Sequence, residues 1–89
     1  MTAGTDAIGR AITRLEEATV DEPPEYWQAL LDDLEPFVDL ENVTSNTSIA
    51  FKYVVWLRDR TDRACTLQGR AVCIEDATFF LAQALRCRR

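Results

Sequence analysis

The chain has 89 residues, 47% of them apolar and 28% charged, the composition of one small globular domain, which excludes wholesale disorder. No apolar run approaches the ~18 residues of a membrane span, and Met1 to Arg14 lacks a compact apolar stretch behind a basic patch. Neither a membrane segment nor a secretory leader is therefore expected, and the location expected by default is cytoplasmic.

The formal net charge of −5 is divided unevenly, with eleven acids against two arginines in residues 1–45 and four acids against eight bases in residues 46–89. Within the first half, Glu16 to Glu41 contains ten acids and no lysine or arginine.

In chain order, Ile8, Ala11, Ile12, Leu15 and Ala18 recur at helical spacing, which predicts a helix capped by Thr5 or Asp6 and running to about Thr19. Arg10, Arg14, Glu16 and Glu17 occupy its other side. Gly9 either weakens this helix or admits a close neighbour. Asp21-Glu-Pro-Pro24 ends the first element and starts the second, because proline is tolerated only in the first turn of a helix. Trp27, Leu30, Leu31 and Leu34 then form an apolar stripe, with Glu25, Asp32, Asp33 and Glu35 elsewhere on the wheel. Pro36 breaks the run, and Phe37, Val38 and Leu40 can face inward from one further turn.

The loop Asn42–Ser48 is rich in residues that bond their own backbone, and Asn46, Thr47 or Ser48 is the expected cap of the next element. Its two matches to the glycosylation sequon, at Asn42 and Asn46, read as turn and capping residues in a chain without a leader. Ile49–Leu57 has Lys52 as its single charge and is hydrophobic on every side, so it must lie between neighbours. As a helix it continues through Arg58–Arg63 towards Leu67 with Gly69 as its stop, and pairs Arg58 with Asp62 and Asp59 with Arg63. As a strand it places Ile49, Phe51, Tyr53, Val55 and Leu57 on one face. The charge spacing favours the helix. A last helix is expected from Glu75 or Asp76, with Phe79, Phe80, Leu81, Ala84 and Leu85 apolar and Arg86, Arg88 and Arg89 at its positive-favouring end. The fold class expected is all-α, a small bundle of four principal helices with a central hydrophobic helix. The alternative is α+β, with a short hairpin formed by residues 49–58 and 63–74.

Catalytic and cofactor chemistry finds little purchase. There is no histidine, so Ser-His and Cys-His arrangements cannot be built from this chain. Cys65, Cys73 and Cys87 lack the close pairs of a zinc site and are odd in number, a poor disulfide framework. Cys87, between Arg86 and Arg88, is the best placed for a lone reactive thiol, although a small buried or incidental thiol is the plainer reading. The three glycines are scattered singly, so no phosphate-cradling loop exists. No enzyme, metal or cofactor is expected.

The acidic stretch is the sharpest feature. Glu16, Glu17, Asp21, Glu22, Glu25, Asp32, Asp33, Glu35, Asp39 and Glu41 are the candidate partner-binding residues. Carboxylates repeated along a helix can occupy arginine and lysine side chains that otherwise grip phosphates. The plainer reading is a solvated face, balanced by the basic half of the same chain. Trp27, Leu30, Leu31 and Leu34 also fit the pattern of a groove-inserting ligand, against the plainer reading of a core wall. Direct nucleic-acid binding through the arginines is disfavoured by the acidic whole.

The function expected is a non-enzymatic module whose acidic surface docks on a basic protein partner. Its most specific form, by analogy with small acidic inhibitor proteins, is inhibition or regulation of a nucleic-acid-handling complex. The alternative is a structural or accessory subunit that self-associates as a symmetric homodimer through apolar surface left uncovered.

Overall fold

The computed structural model describes residues 3–38 and 45–87, and in it the stripe of Ile8, Ala11 and Leu15 is the buried side of a helix, α1 (Ala3–Glu17). The helix begins before Thr5 and Asp6, so neither is its cap, and it stops two residues short of Thr19. Glu22 closes the chain there, its carboxylate accepting the Thr19 N–H at 3.0 Å. Pro23 is extended and Pro24 opens α2 (Pro24–Leu34), whose first turn loses nothing by the missing N–H. Pro36 converts the next residues into a short 3-10 turn, Glu35–Phe37, with Phe37 and Val38 half-buried. Leu40 and the candidate acids Asp39 and Glu41 lie outside the described residues, as does the Asn42 sequon.

The hydrophobic run is helical: α3 spans Asn46–Asp59. Its cap is Ser45, one residue before those expected, and the Ser45 side chain accepts the Ser48 N–H at 3.2 Å. The hairpin alternative does not form, and no strand occurs among the described residues. The far end also differs from expectation. Arg60 takes left-handed backbone (φ 53°, ψ 48°), and the Thr61 N–H reaches back to the Trp56 carbonyl at 3.3 Å. This closure normally employs glycine, so the sequence carries no stop signal at the point where the helix ends. The pairs expected between Arg58 and Asp62 and between Asp59 and Arg63 are absent because the chain turns before they can share a face. Arg58 instead grips its neighbour Asp59 at 2.8 Å, and Arg63 lies 5.0 Å over the Trp56 ring.

A 3-10 turn at Asp62–Ala64 leads into α4 (Leu67–Cys87), which starts eight residues before the expected Glu75. Thr66 is its cap, accepting the Gly69 N–H at 2.9 Å. Gly69 is therefore a first-turn residue and stops nothing.

Each helix has two neighbours: α1 packs on α2 and α4, and α3 packs on α2 and α4. The α1–α2 and α3–α4 pairs thus form opposite sides of the bundle. The core takes Ile8, Ala11 and Leu15 from α1, and Trp27, Leu30, Leu31 and Leu34 from α2. From α3 come Ala50, Val54 and Leu57, and from α4 Cys73, Ala77, Leu81 and Ala84. Each large aliphatic side chain so buried contributes about 1.5–3 kcal/mol. Trp27, Leu30, Leu31 and Leu34 are at most 2% exposed, so the groove-inserting reading fails: the stripe is a core wall.

Candidate functional site

The acidic face is built by the α1–α2 hairpin. Glu25, Gln28, Asp32 and Glu35 recur at steps of three and four and are all exposed, one solvent-facing stripe opposite the Trp27–Leu34 core stripe. Glu16 and Glu17, exposed at the end of α1, extend this acidity beside the hairpin turn. Asp33 is half-buried and lies off the stripe. Asp21 and Glu22 serve the fold: Glu22 closes the hairpin turn, and Asp21 stands 3.6 Å from the guanidinium of buried Arg70.

Three arginines of the second half lean onto this first half. Arg70 reaches Asp21, and its guanidinium also donates to the Ala64 carbonyl at 3.1 Å. Arg60 donates to the Glu22 carbonyl at 3.3 Å, and Arg58 to the Gln28 side chain at 3.0 Å. Gln28 in turn donates to Asp32 at 2.9 Å. The sequence-level charge division is therefore partly closed in space. Glu16, Glu17, Glu25, Asp32 and Glu35 keep exposed carboxylates with no ion pair among the described residues.

The opposite side is aromatic. Phe79 meets Phe80 edge-on at 5.3 Å, Phe80 stacks on Tyr53 at 6.1 Å, and Tyr53 meets Trp56 edge-on at 5.1 Å. The row crosses the α3–α4 seam and ends under the Arg63 guanidinium. Beside it opens a cleft of about 360 Å³, lined by Tyr53, Arg63, Gly69, Val72, Cys73 and Asp76 among others. A last helix begun at Glu75 hides this face from sequence reading. With α4 begun at Leu67, the buried series Arg70, Cys73, Ala77, Leu81 and Ala84 fixes the inner side and turns Val72 and Phe79 outward. That series, at steps of three and four, is the signal in the sequence that could have found it.

Burial pushes the Tyr53 hydroxyl above the ordinary tyrosine value of 10.0, and the nearby Asp76 carboxylate pushes it further. Burial raises the Cys73 thiol above 9.0 in the same way, with Asp76 adding to it, and raises Tyr26, with Glu22 adding to it. All three groups are neutral when protonated, and folding holds their protons more tightly than the unfolded chain does. Their stabilisation is thus complete below the ordinary values of 9.0 and 10.0 and is lost as pH rises towards the raised folded values. Thermal melts are expected to hold a constant midpoint from neutrality to about pH 8.5 and then to fall, and Tyr53→Phe to fall less steeply. A midpoint that rises above pH 10 contradicts the burial of these groups.

Cys65, Cys73 and Cys87 are free, and the exposed Cys65 thiol donates to the Asp62 carbonyl at 3.2 Å. Among the described residues, no group of three or more cysteine, aspartate or glutamate side chains converges to hold a metal. No helix among them is long and apolar enough to cross a membrane. The molecule is a four-helix bundle with carboxylates on the α1–α2 side and aromatic rings on the α3–α4 side. No protein-family model, curated protein or solved structure matches the chain.

Proposed function

We propose that the chain is a non-enzymatic, cytoplasmic protein-binding module whose α1–α2 face docks on a basic partner, in its most specific form regulating or inhibiting a complex that handles nucleic acid. The observation that carries this is the exposed stripe of Glu25, Asp32 and Glu35, flanked by Glu16 and Glu17 and without an ion pair among the described residues. Carboxylates held on one rigid helix face keep their spacing, so a partner's arginines and lysines meet a preformed array. Side chains that grip phosphates are satisfied equally well by such an array, which makes occupancy of a nucleic-acid site the mechanism. Glu22 also closes the hairpin turn, and Asp21, with a side chain 75% exposed beside Arg70, extends the acidic face at that turn.

The test compares affinity capture from the native host by the full chain and by its Glu25→Lys/Asp32→Lys/Glu35→Lys variant. The partner recovered by the parent is expected to be lost by the variant and released from the parent between low and moderate salt, as charges at a surface are screened over about 10 Å at 0.1 M. That partner's nucleic-acid binding should fall in the presence of the parent chain. A partner that the folded triple variant retains, or that holds through high salt, ends the reading.

A further inference from the structure

Among the described residues, the exposed large apolar side chains are Leu67, Val72 and Phe79, and all belong to α4. Val72 (49% exposed) and Phe79 (55%) stand seven residues apart, two helical turns, and so share one side. Asp76 lies between them on that side, and Gln83 and Arg86 continue it towards the C-terminal end. Tyr53 and Trp56 of α3 flank it through the aromatic row that starts at Phe79. Phe79 and Val72, about half exposed and flanked by the partly buried rings of Tyr53, Trp56 and Phe80, form one contiguous apolar strip on this side.

We propose that this face binds a second copy of the chain, with the two α4 helices antiparallel about a twofold axis at Phe79. The charge order along α4 selects both the occupant and its direction. Glu75 and Asp76 precede Phe79, and Arg86 follows it. A parallel copy sets acids against acids and arginine against arginine. An antiparallel copy sets Phe79 against Phe79 and brings the second copy's Arg86 level with Val72. From there Glu75 and Asp76 are three and four residues away, about 4.5–6 Å along the axis and within reach of an arginine side chain. That position lies beside the cleft lined by Tyr53, Arg63, Val72 and Asp76, where Asp76 supplies a carboxylate to the incoming guanidinium and Arg63, held over the Trp56 ring, is the other charge. The surface is thus complementary to itself, as an isologous contact requires. The acidic α1–α2 face lies on the opposite side of the bundle, so pairing through α4 keeps the two largest negative surfaces apart. None of the residues in this contact belongs to the acidic docking stripe, so pairing and docking stand or fall separately.

Sedimentation equilibrium of the full chain, from micromolar to submillimolar concentration, tests it. The parent is expected to pass from monomer to dimer across this range. Phe79→Asp should raise the dissociation constant at least about 30-fold, the loss typical of a central anchor, with helical circular dichroism unchanged. Glu75→Arg and Arg86→Glu, both at exposed positions, should each weaken the dimer, and the double variant should recover it. A parent that stays monomeric throughout overturns the proposal, and so does a folded Phe79→Asp chain that associates as the parent does. If both single charge reversals weaken association and their combination fails to restore it, the antiparallel register is wrong.

Discussion

Trp27→Ala is expected to lower the urea midpoint of unfolding sharply, through a loss of about 3–5 kcal/mol of stability. Trp27 is 1% exposed, the largest of the fully buried side chains, and comes from the first turn of the helix that touches both α1 and α3. Its ring meets Tyr26 edge-on at 5.1 Å, and the Tyr26 hydroxyl donates to the Arg14 carbonyl at 2.5 Å, which ties α2 to α1. The Arg14 guanidinium lies 5.8 Å over that tyrosine. Removing a buried tryptophan costs about 3–5 kcal/mol in transfer and cavity terms. A domain of this length has roughly 4–13 kcal/mol in all, so the loss consumes much or all of the stability. Far-ultraviolet circular dichroism during a urea titration measures it. A variant whose midpoint matches the parent's would mean that Trp27 is not a core residue.

Gly69→Ala and Gly9→Ala are expected to act with opposite signs, although both glycines sit in helices. A Cβ at Gly69 would lie 2.5 Å from the Arg63 carbonyl oxygen and 3.0 Å from the Thr66 side-chain oxygen. The first of these is backbone and cannot swing aside. The second is the cap of α4, which accepts the Gly69 N–H. The Arg63 carbonyl also accepts the Cys73 thiol at 3.7 Å, so displacing the 3-10 turn strains several contacts together. Overpacking of this kind costs about 1–3 kcal/mol, which exceeds the roughly 1 kcal/mol that alanine gains over glycine in a helix. At Gly9 no atom lies within 4 Å of the added Cβ, so the helix gain of up to about 1 kcal/mol stands alone. Denaturant midpoints of the two variants against the parent decide the matter, and a stabilised Gly69→Ala chain would show that the close approach does not exist.

Gly69 also shows why this junction is not legible in the sequence. A lone glycine after an apolar run has two meanings, a stop or a close approach, and local pattern cannot choose between them. Here the choice is made by Arg63, whose carbonyl is brought against Gly69 by the turn. The end of α3 at Arg60 is similar: a left-handed non-glycine residue carries no signal in the chain. Side chains on distant elements, such as Arg60 to the Glu22 carbonyl, hold that turn. By contrast, α2 is legible in its position and its buried side, because the prolines at 23 and 24 and at 36 bracket it and its apolar stripe has one period and no competitor.

The candidate acids divide along the same line. That Glu16 to Glu35 are mostly exposed follows from composition, since carboxylates are rarely buried without partners. That Glu22 closes the turn and that Asp21, still largely exposed, stands beside Arg70 does not follow, because Thr19 and Arg70 meet them only through the local turn or tertiary packing.

The amino-acid order by itself determined the acidity of the first half and favoured the helical class and the Trp27–Leu34 core wall, all of them properties of residues near one another in the chain. The tertiary structure alone decided where α3 ends, that the Arg63 carbonyl stands against Gly69, and how far Val72 and Phe79 stay exposed. Periodicity defines a helix's apolar side, but how far the apolar residues outside it are covered is set only by the neighbours that arrive. Val72 and Phe79 are left 49% and 55% exposed, which is why the side they share is the one proposed to meet a second copy.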